Sequence, residues 1–340
     1  MNRRRFCVAL LVVSISQFCH TQQTSKTQVP RDLERQLSAV RQKFPGDMAI
    51  YMKNLANGDE IALDADSVYE TFSVIKLAIA SEVLHQSETG KFSLSDRVTL
   101  KAGDRRLPSG VLYALDPGLQ PTIKDLLTLM IIISDNEATD LLGDKVGRAN
   151  VTAYMRSLGL DKTTIQFSDL DWDRTWLSTL DPAYKLASGD KTIEFPFGKY
   201  DDARVKEAFG HTIYDAGIYF GHSSAREIGH LLQWAAEGKL VSKAASQQLL
   251  DIMEMQQVND RFPRYLRDVR IAHKTGDGQP FIANDAAVMW VGKQPIVLVV
   301  LTGHHRGETA ALHDTIARVA AMVVQHYGGQ LAPDYSPATH

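Results

Sequence analysis

The chain reads as a two-lobed α+β protein, α/β plus all-α: an antiparallel sheet flanked by N- and C-terminal helices, with an all-helical lobe inserted between the strands. Three patterns carry that reading. Apolar strand patterns flank Asn57-Gly58, helical spacings dominate residues 73–236, and strand patterns return at residues 270–302. A sheet assembled from both ends of a chain must enclose what lies between, and here that is helical. With 340 residues and 44% apolar composition, the chain can bury one large core or two lobes. A net charge of −3 excludes a strongly basic nucleic-acid binder.

At the N-terminus, Arg3, Arg4 and Arg5 precede an apolar run over residues 6–13, with small Ser14 and Ser16 after it. That is the pattern of a secretory signal peptide, too short to cross a bilayer as a mature helix. Residues 1–19 are read as this signal peptide and 20–30 as a flexible leader. The catalytic domain is read as 31–332, with an α/β lobe over 31–70 and 240–330 and a helical lobe over 71–239. A periplasmic or secreted mature protein follows. Cys7 and Cys19 are the only cysteines, and Cys7 lies in the segment to be removed, so no intramolecular disulfide is expected. Lipid anchoring at Cys19 is the lesser reading, because Ser16-Gln17-Phe18 lacks the small residues such processing prefers.

Within the domain, Leu33, Leu37 and Val40 recur at helical spacing. Residues 48–52 and 60–63 form strands around Asn57-Gly58, a dipeptide suited to a tight turn. Residues 73–84 then spell a helix that is apolar nearly all round, which belongs inside a domain. Thr122 and Asp125 make a capping box ahead of residues 126–133. Helices over 137–146 and 151–158 end at Gly147 and Gly159, and one over 223–236 closes at Gly238. Strands at 270–274, 286–291 and 296–302 lead into a final helix over 309–327.

Three short motifs carry chemistry. Ser73-Val74-Ile75-Lys76 places a lysine one turn beyond a serine, on the same face of a buried helix. The helix N-terminus favours negative charge near the serine oxygen, and desolvation should lower the lysine pKa until its amine can act as a base. A decoy with the same spacing, Ser188-Gly189-Asp190-Lys191, sits in a polar stretch with no apolar helix behind it. Ser134-Asp135-Asn136 follows an apolar helix. There Ser134 can relay a proton, Asn136 can orient Lys76 and bind a substrate amide, and Asp135 braces the turn. Lys274-Thr275-Gly276 ends a strand and offers ammonium and hydroxyl to a substrate carboxylate, with Gly276 allowing close backbone approach.

These motifs, in this order, resemble those of the class A β-lactamase branch of the penicillin-recognising serine hydrolases. Gly90-Lys91-Phe92-Ser93-Leu94-Ser95-Asp96, Ser109-Gly110-Val111-Leu112 and Ser224-Ala225-Arg226-Glu227 extend the similarity, which covers most of residues 31–330. The resemblance implies a β-lactamase/transpeptidase-like fold with the site between the lobes. It makes Ser73 the acylated nucleophile and Lys76 and Ser134 its proton carriers. The backbone N–H groups of Ser73 and Asp277 would form an oxyanion hole, with Asn136, Lys274, Thr275, Gly276 and Asp277 binding substrate.

Two departures matter. The branch carries Glu-x-x-Leu-Asn, whose glutamate activates the water that frees the acyl-enzyme, and no such pattern occurs here. The corresponding region, 161–221, is longer than expected and holds Asp169, Asp171 and Asp173, plus Asp181 and Glu194. Asp169 falls nearest the expected offset and is taken as the base; solvated loop carboxylates are the competing account. Asp277 stands where the branch has a small or hydroxyl residue, and its charge would oppose an oxyanion unless it points away.

His304-His305 and His313 fit no familiar zinc spacing, and His273 is read as a strand residue facing away from the site. No metal or cofactor is expected. The leading function is a monomeric serine β-lactamase acting on small-molecule β-lactams through an acyl-enzyme on Ser73. A D-alanyl-D-alanine carboxypeptidase or esterase acting on the peptidoglycan stem peptide is the alternative, with a covalent penicillin binder of poor deacylation as the third reading.

Overall fold

The computed structural model describes residues 30–185, 198–215 and 217–336. Residues 1–29, expected to hold a signal peptide and a leader and including both cysteines, lie outside the described residues, as do the Ser188-Gly189-Asp190-Lys191 segment and Glu194. Helix α1 (Arg31–Lys43) leads into β1 (Asp47–Asn54) and β2 (Glu60–Leu63), and a short β3 (Tyr69–Glu70) precedes α2 (Lys76–Glu88). Helices α3 (Ile123–Ile132), α4 (Asn136–Val146) and α5 (Arg148–Ser157) follow, then β4 (Thr164–Ile165), α6 (Asp169–Leu180) and α7 (Asp202–Ile213). Next come β5 (Gly221–Ser223), α8 (Ala225–Ala236), α9 (Lys243–Met253), β6 (Leu266–Arg267), β7 (Arg270–Gly278) and β8 (Ile282–Val291). Strand β9 (Gln294–Gly303), α10 (Thr309–His326) and β10 (Gln330–Leu331) close the chain.

The main sheet runs β2-β1-β9-β8-β7, antiparallel throughout, so the N-terminal hairpin joins the C-terminal strands through β1 and β9. Alternation along the strands sorts the core into two layers. Met48, Ile50, Met52, Ile296, Leu298 and Val300 pack with Leu33 and Leu37 of α1 and Leu312 and Ile316 of α10. Ala49, Tyr51, Ala286, Val288, Val297 and Val299 face the helical side, where α2 lies. Every residue of α2 from Lys76 to Leu84 is buried, as expected of a helix apolar on all faces.

The capping box of Thr122 and Asp125 opens α3, and positive-φ glycines at 147 and 159 follow α4 and α5. Helix α8 belongs to the sheet rather than to the helical lobe, which shifts the lobe boundary from residue 239 back to about the start of α8. Its apolar stripe packs on β1 and β9, and at Gly229 a Cβ would lie 2.2 Å from the Tyr51 ring. Residues 161–221 had no assigned conformation in the sequence. The structure places β4, α6 and α7 there, and ties the stretch to β3 through a small β3-β5-β4 sheet.

Candidate active site

Ser73 sits in a tight turn rather than at a plain helix start. Residues Phe72–Ile75 form a 3₁₀ turn, and α2 begins only at Lys76. Phe72, just before the serine, is left-handed (φ 42°), a costly conformation for an aromatic residue. Its neighbours hold it there. Thr71 donates from N and Oγ1 to Gly221 O (2.7 and 2.6 Å), and Asn284 Nδ2 donates to Glu70 O and Thr71 O (3.0 and 3.1 Å). The half-buried Glu70 carboxylate accepts from the N–H groups of Phe72, Phe220 and Gly221. Burial pushes its pKa up to about 7 while those same N–H groups oppose the rise.

Two lysines meet on one hydroxyl. Lys76 Nζ donates to Ser134 O (2.8 Å), Ser134 Oγ (3.2 Å) and Asn136 Oδ1 (2.8 Å). Lys274 Nζ donates to the same Ser134 Oγ (3.0 Å) and to Thr275 O (2.7 Å). Both ammonium groups are fully buried. Burial lowers the pKa of Lys76, with Asp169 the largest opposing charge; burial lowers that of Lys274 well below its usual range, and nearby Lys76 adds to the drop. Ser134 is itself left-handed (φ 59°), and Ser109 Oγ donating to Ser134 O (2.7 Å) helps fix it. Asp135 braces the turn as expected. It caps α4 through Ala138 N (3.0 Å) and accepts from Val111 N and Leu112 N (2.7 and 3.0 Å). Asn136 Nδ2 is anchored on Leu107 O (3.0 Å), so its Oδ1 is aimed at Lys76.

Gly276 meets the Ser73 turn directly: a Cβ there would lie 2.4 Å from Thr71 O and 3.2 Å from Ser73 N. Only glycine lets β7 approach this closely. Its neighbour Asp277 is not a free charge facing an oxyanion. Buried Arg261 grips it with two hydrogen bonds (2.8 and 2.9 Å) and also donates to Asn284 O (2.9 Å). Thr275, like Lys76, Lys274 and Gly276, is buried and is not among the cleft-lining residues. His273 faces away from the site, paired with Asp285 (3.0 Å).

The acids in residues 161–221 separate by location. Asp171 is exposed at the start of α6, where Ser168 Oγ accepts from its N–H (2.9 Å) and donates to its Oδ2 (2.7 Å). Asp181 caps the turn after α6 through Ala183 N (2.9 Å). Asp169 and Asp173 are buried, 7% and 8% exposed, and both line the cleft with Ser73. Burial pushes the Asp169 pKa up to about 7, with Lys76 the largest opposing effect. That of Asp173 is raised well above the usual carboxylate range, by burial first and Asp169 second. Asp140 of α4 sets this helix in place, accepting from Asp169 N (2.9 Å) and Leu170 N (3.2 Å) while paired with Arg106 and Arg148.

A cleft of about 600 Å³ joins these groups, lined by Ser73, Ser134, Asn136, Asp169, Asp173 and Asp277, with Phe72, Trp172, Trp176 and Phe209 along one wall. Residues 32–327 match the model of the beta-lactamase enzyme family. The chain belongs to that family. A β-lactamase of Streptomyces lavendulae is 26% identical over 303 residues, covering 87% of each chain. A β-lactamase structure from Chitinophaga pinensis DSM 2588 superposes with a TM-score of 0.70 at 22% identity, covering 87% of this chain and 99% of that one. A PBP-A mutant, solved as an acyl-enzyme complex with penicillin-G, also gives 0.70 at 22% identity, covering 88% of this chain and 97% of that one.

Against the Glu-x-x-Leu-Asn pattern of the class A branch, this β-lactamase-family chain presents Asp169-Leu170-Asp171-Trp172-Asp173. The spacing is kept: an acid, then an apolar residue three on, then a polar residue four on. Positions i and i+4 share one helix face, which brings Asp169 and Asp173 together and sends Asp171 outward. That register was available in the sequence. Sequence reasoning missed Asp140, Glu70 and Arg261, whose contacts to Asp169 N, to the Phe220 and Gly221 N–H groups and to Asp277 form only on folding.

Proposed function

We propose that this chain is a serine β-lactamase that opens the β-lactam amide through an acyl-enzyme on Ser73. The observation that carries this reading is the convergence of buried Lys76 and Lys274 on the Oγ of Ser134, which lines the cleft with Ser73. A hydroxyl between two lysines whose charged forms are disfavoured by burial is suited to passing a proton. Lys76 Nζ takes the Ser73 proton as Ser73 Oγ bonds to the lactam carbonyl carbon. The C–N bond breaks, Ser134 Oγ gives its proton to the leaving nitrogen, and Lys76 returns one to Ser134. The amides of Ser73 and Asp277 receive the oxyanion, while Asn136, Lys274 and the Gly276 backbone orient the substrate. Asp169 then takes a proton from the water that attacks the ester, a role suited to a carboxyl titrating near neutrality. On the same reading the mature protein acts as an exported monomer.

The test is stopped-flow kinetics with a chromogenic cephalosporin, paired with intact-protein mass spectrometry and a Ser73→Ala control. Sustained turnover lost by roughly 10⁴–10⁶-fold in the variant supports the reading. A stoichiometric burst and a stable adduct would point to a covalent binder or a D-alanyl-D-alanine carboxypeptidase. A protein mass unchanged by penicillin would overturn acylation altogether.

A further inference from the structure

The cleft that holds Ser73 is lined by four aspartates, Asp169, Asp173, Asp202 and Asp277, and by no lysine, arginine or histidine among the described residues. The cations near it lie behind that surface and are already engaged. Lys76 and Lys274 are fully buried on Ser134 Oγ, and both Asp169 and Asp173 attract Lys76. Lys199, beside the lining Tyr200, lies over the Tyr184 and Tyr200 rings (5.4 and 5.5 Å). Burial raises the pKa of Asp169 and Asp173, so the exposed carboxylates of Asp277 and Asp202 supply most of the negative charge.

Arg261 is spent in the same way. Its Nε donates to Asp260 Oδ1 (3.2 Å), and Nη1 donates to Asn284 O (2.9 Å) and Gly276 O (3.3 Å). Its Nη2 donates to both oxygens of Asp277 (2.8 and 2.9 Å). A guanidinium has about five N–H donors, so none remains for a substrate carboxylate. The pair is also oriented, because the Arg261 side chain is 1% exposed and that of Asp277 is 37% exposed. The cleft therefore meets the negative end. Asp277 also accepts from Gln279 Nε2 (3.1 Å), with His313 Nε2 3.9 Å away, and roughly one of its four lone-pair positions stays open. It follows Gly276, where a Cβ would lie 3.2 Å from Ser73 N, so this charge stands close to the nucleophile turn.

We propose that this cleft selects substrates by charge, with Asp277 as the specificity-determining residue: it favours lactams whose acyl side chain carries an ammonium over those carrying a second carboxylate. This rests on the serine acyl-enzyme reading and deepens it by naming the substrate class. An ammonium entering the cleft finds a partly exposed carboxylate with acceptor capacity to spare. A second carboxylate meets like charge and no free donor on Arg261, so the selection has a repulsive element as well as an attractive one. The aromatic wall of Phe72, Trp172, Trp176 and Phe209 takes the uncharged body of such a side chain.

The experiment compares acylation efficiency with ampicillin, benzylpenicillin and carbenicillin, which carry an ammonium, a hydrogen or a carboxylate on the same side-chain carbon. The unmodified enzyme should prefer ampicillin to carbenicillin by about 30-fold or more, with benzylpenicillin between them. Asp277→Asn keeps the shape and removes the charge; it should shrink that ratio by about tenfold, whatever it does to the three rates together. A ratio unchanged in Asp277→Asn, or carbenicillin within about threefold of ampicillin in the unmodified enzyme, would overturn the inference while leaving acylation at Ser73 intact. Should Asp277→Asn not fold, salt decides. Raising it from about 0.05 to 0.5 M should contract the ratio in the unmodified enzyme, and a ratio indifferent to salt would overturn the charge selection. Failure of all three compounds to acylate would bring down the functional reading and this inference together.

Discussion

The two walls of the cleft differ in how their polar atoms are satisfied. On the wall of α2, Ser134 and β7, Lys76 Nζ makes three hydrogen bonds, Lys274 Nζ makes two and Asn136 uses both ends of its amide. On the α6 wall, Asp169 and Asp173 each carry a buried oxygen with no protein partner among the described residues. The first wall is preorganised by the protein alone, as a group that must shuttle a proton between fixed atoms requires. The second carries buried carboxyl oxygens that the described residues leave unpaired. On the proposed serine acyl-enzyme mechanism, acylation and deacylation would fall to these two separate surfaces.

Cross-substitution is the strongest way to break that division. Lys76→Ala should cut the acylation rate by about 10²–10⁴-fold, whereas Asp169→Asn should spare the burst and slow acyl-enzyme breakdown by a similar factor. Burst and decay phases of one stopped-flow trace report both. Equal losses in both phases from either variant would merge the two walls into one unit. Next in size is Gly276→Ala, which tests the close approach of β7 to the nucleophile turn. Its Cβ would fall 2.4 Å from Thr71 O, so denaturant unfolding should show a loss of about 1–3 kcal/mol and the burst should slow with it. An unchanged midpoint would mean that the turn yields without cost.

The smallest effect sharpens the contrast on the α6 side. Burial raises the Asp173 pKa in the folded state above its unfolded value, so its contribution to stability is fully present in acid and lost as pH rises through the folded value. Asp173→Asn removes that loss. It should raise Tm by about 2–4 °C at pH 8 and leave it unchanged at pH 4, by scanning calorimetry. Equal shifts at both pH values would show that the carboxyl is not held neutral by its surroundings.

Legibility followed the same division. Ser73, Lys76, Ser134, Asn136 and Lys274 were identifiable because their motifs are contiguous and lie at the junctions of strongly patterned elements. The α6 wall was harder. Asp169 was selected by its offset alone, and an acidic stretch between Gly159 and Gly221 reads equally well as solvated loop. What reveals α6 is the spacing of Trp172, Trp176 and Leu180 on one face, a signal diluted by the intervening Asp and Thr residues. The pairing of Asp277 had no sequence signature either, because Arg261 meets it only once β7 and the preceding turn are folded together.

From its residues alone, this chain specifies the strand and helix patterns at its two ends, a buried helix carrying Ser73 and Lys76, and three contiguous motifs. Periodicity and local spacing encode those features, since each depends on neighbours within a turn or a strand. Tertiary packing decides the electrostatics: which acid faces Lys76, which has its pKa pushed up by burial beside Trp176, and which is paired with Arg261. Such outcomes depend on burial and on partners distant along the chain, and a protonation energy exists only where those groups meet.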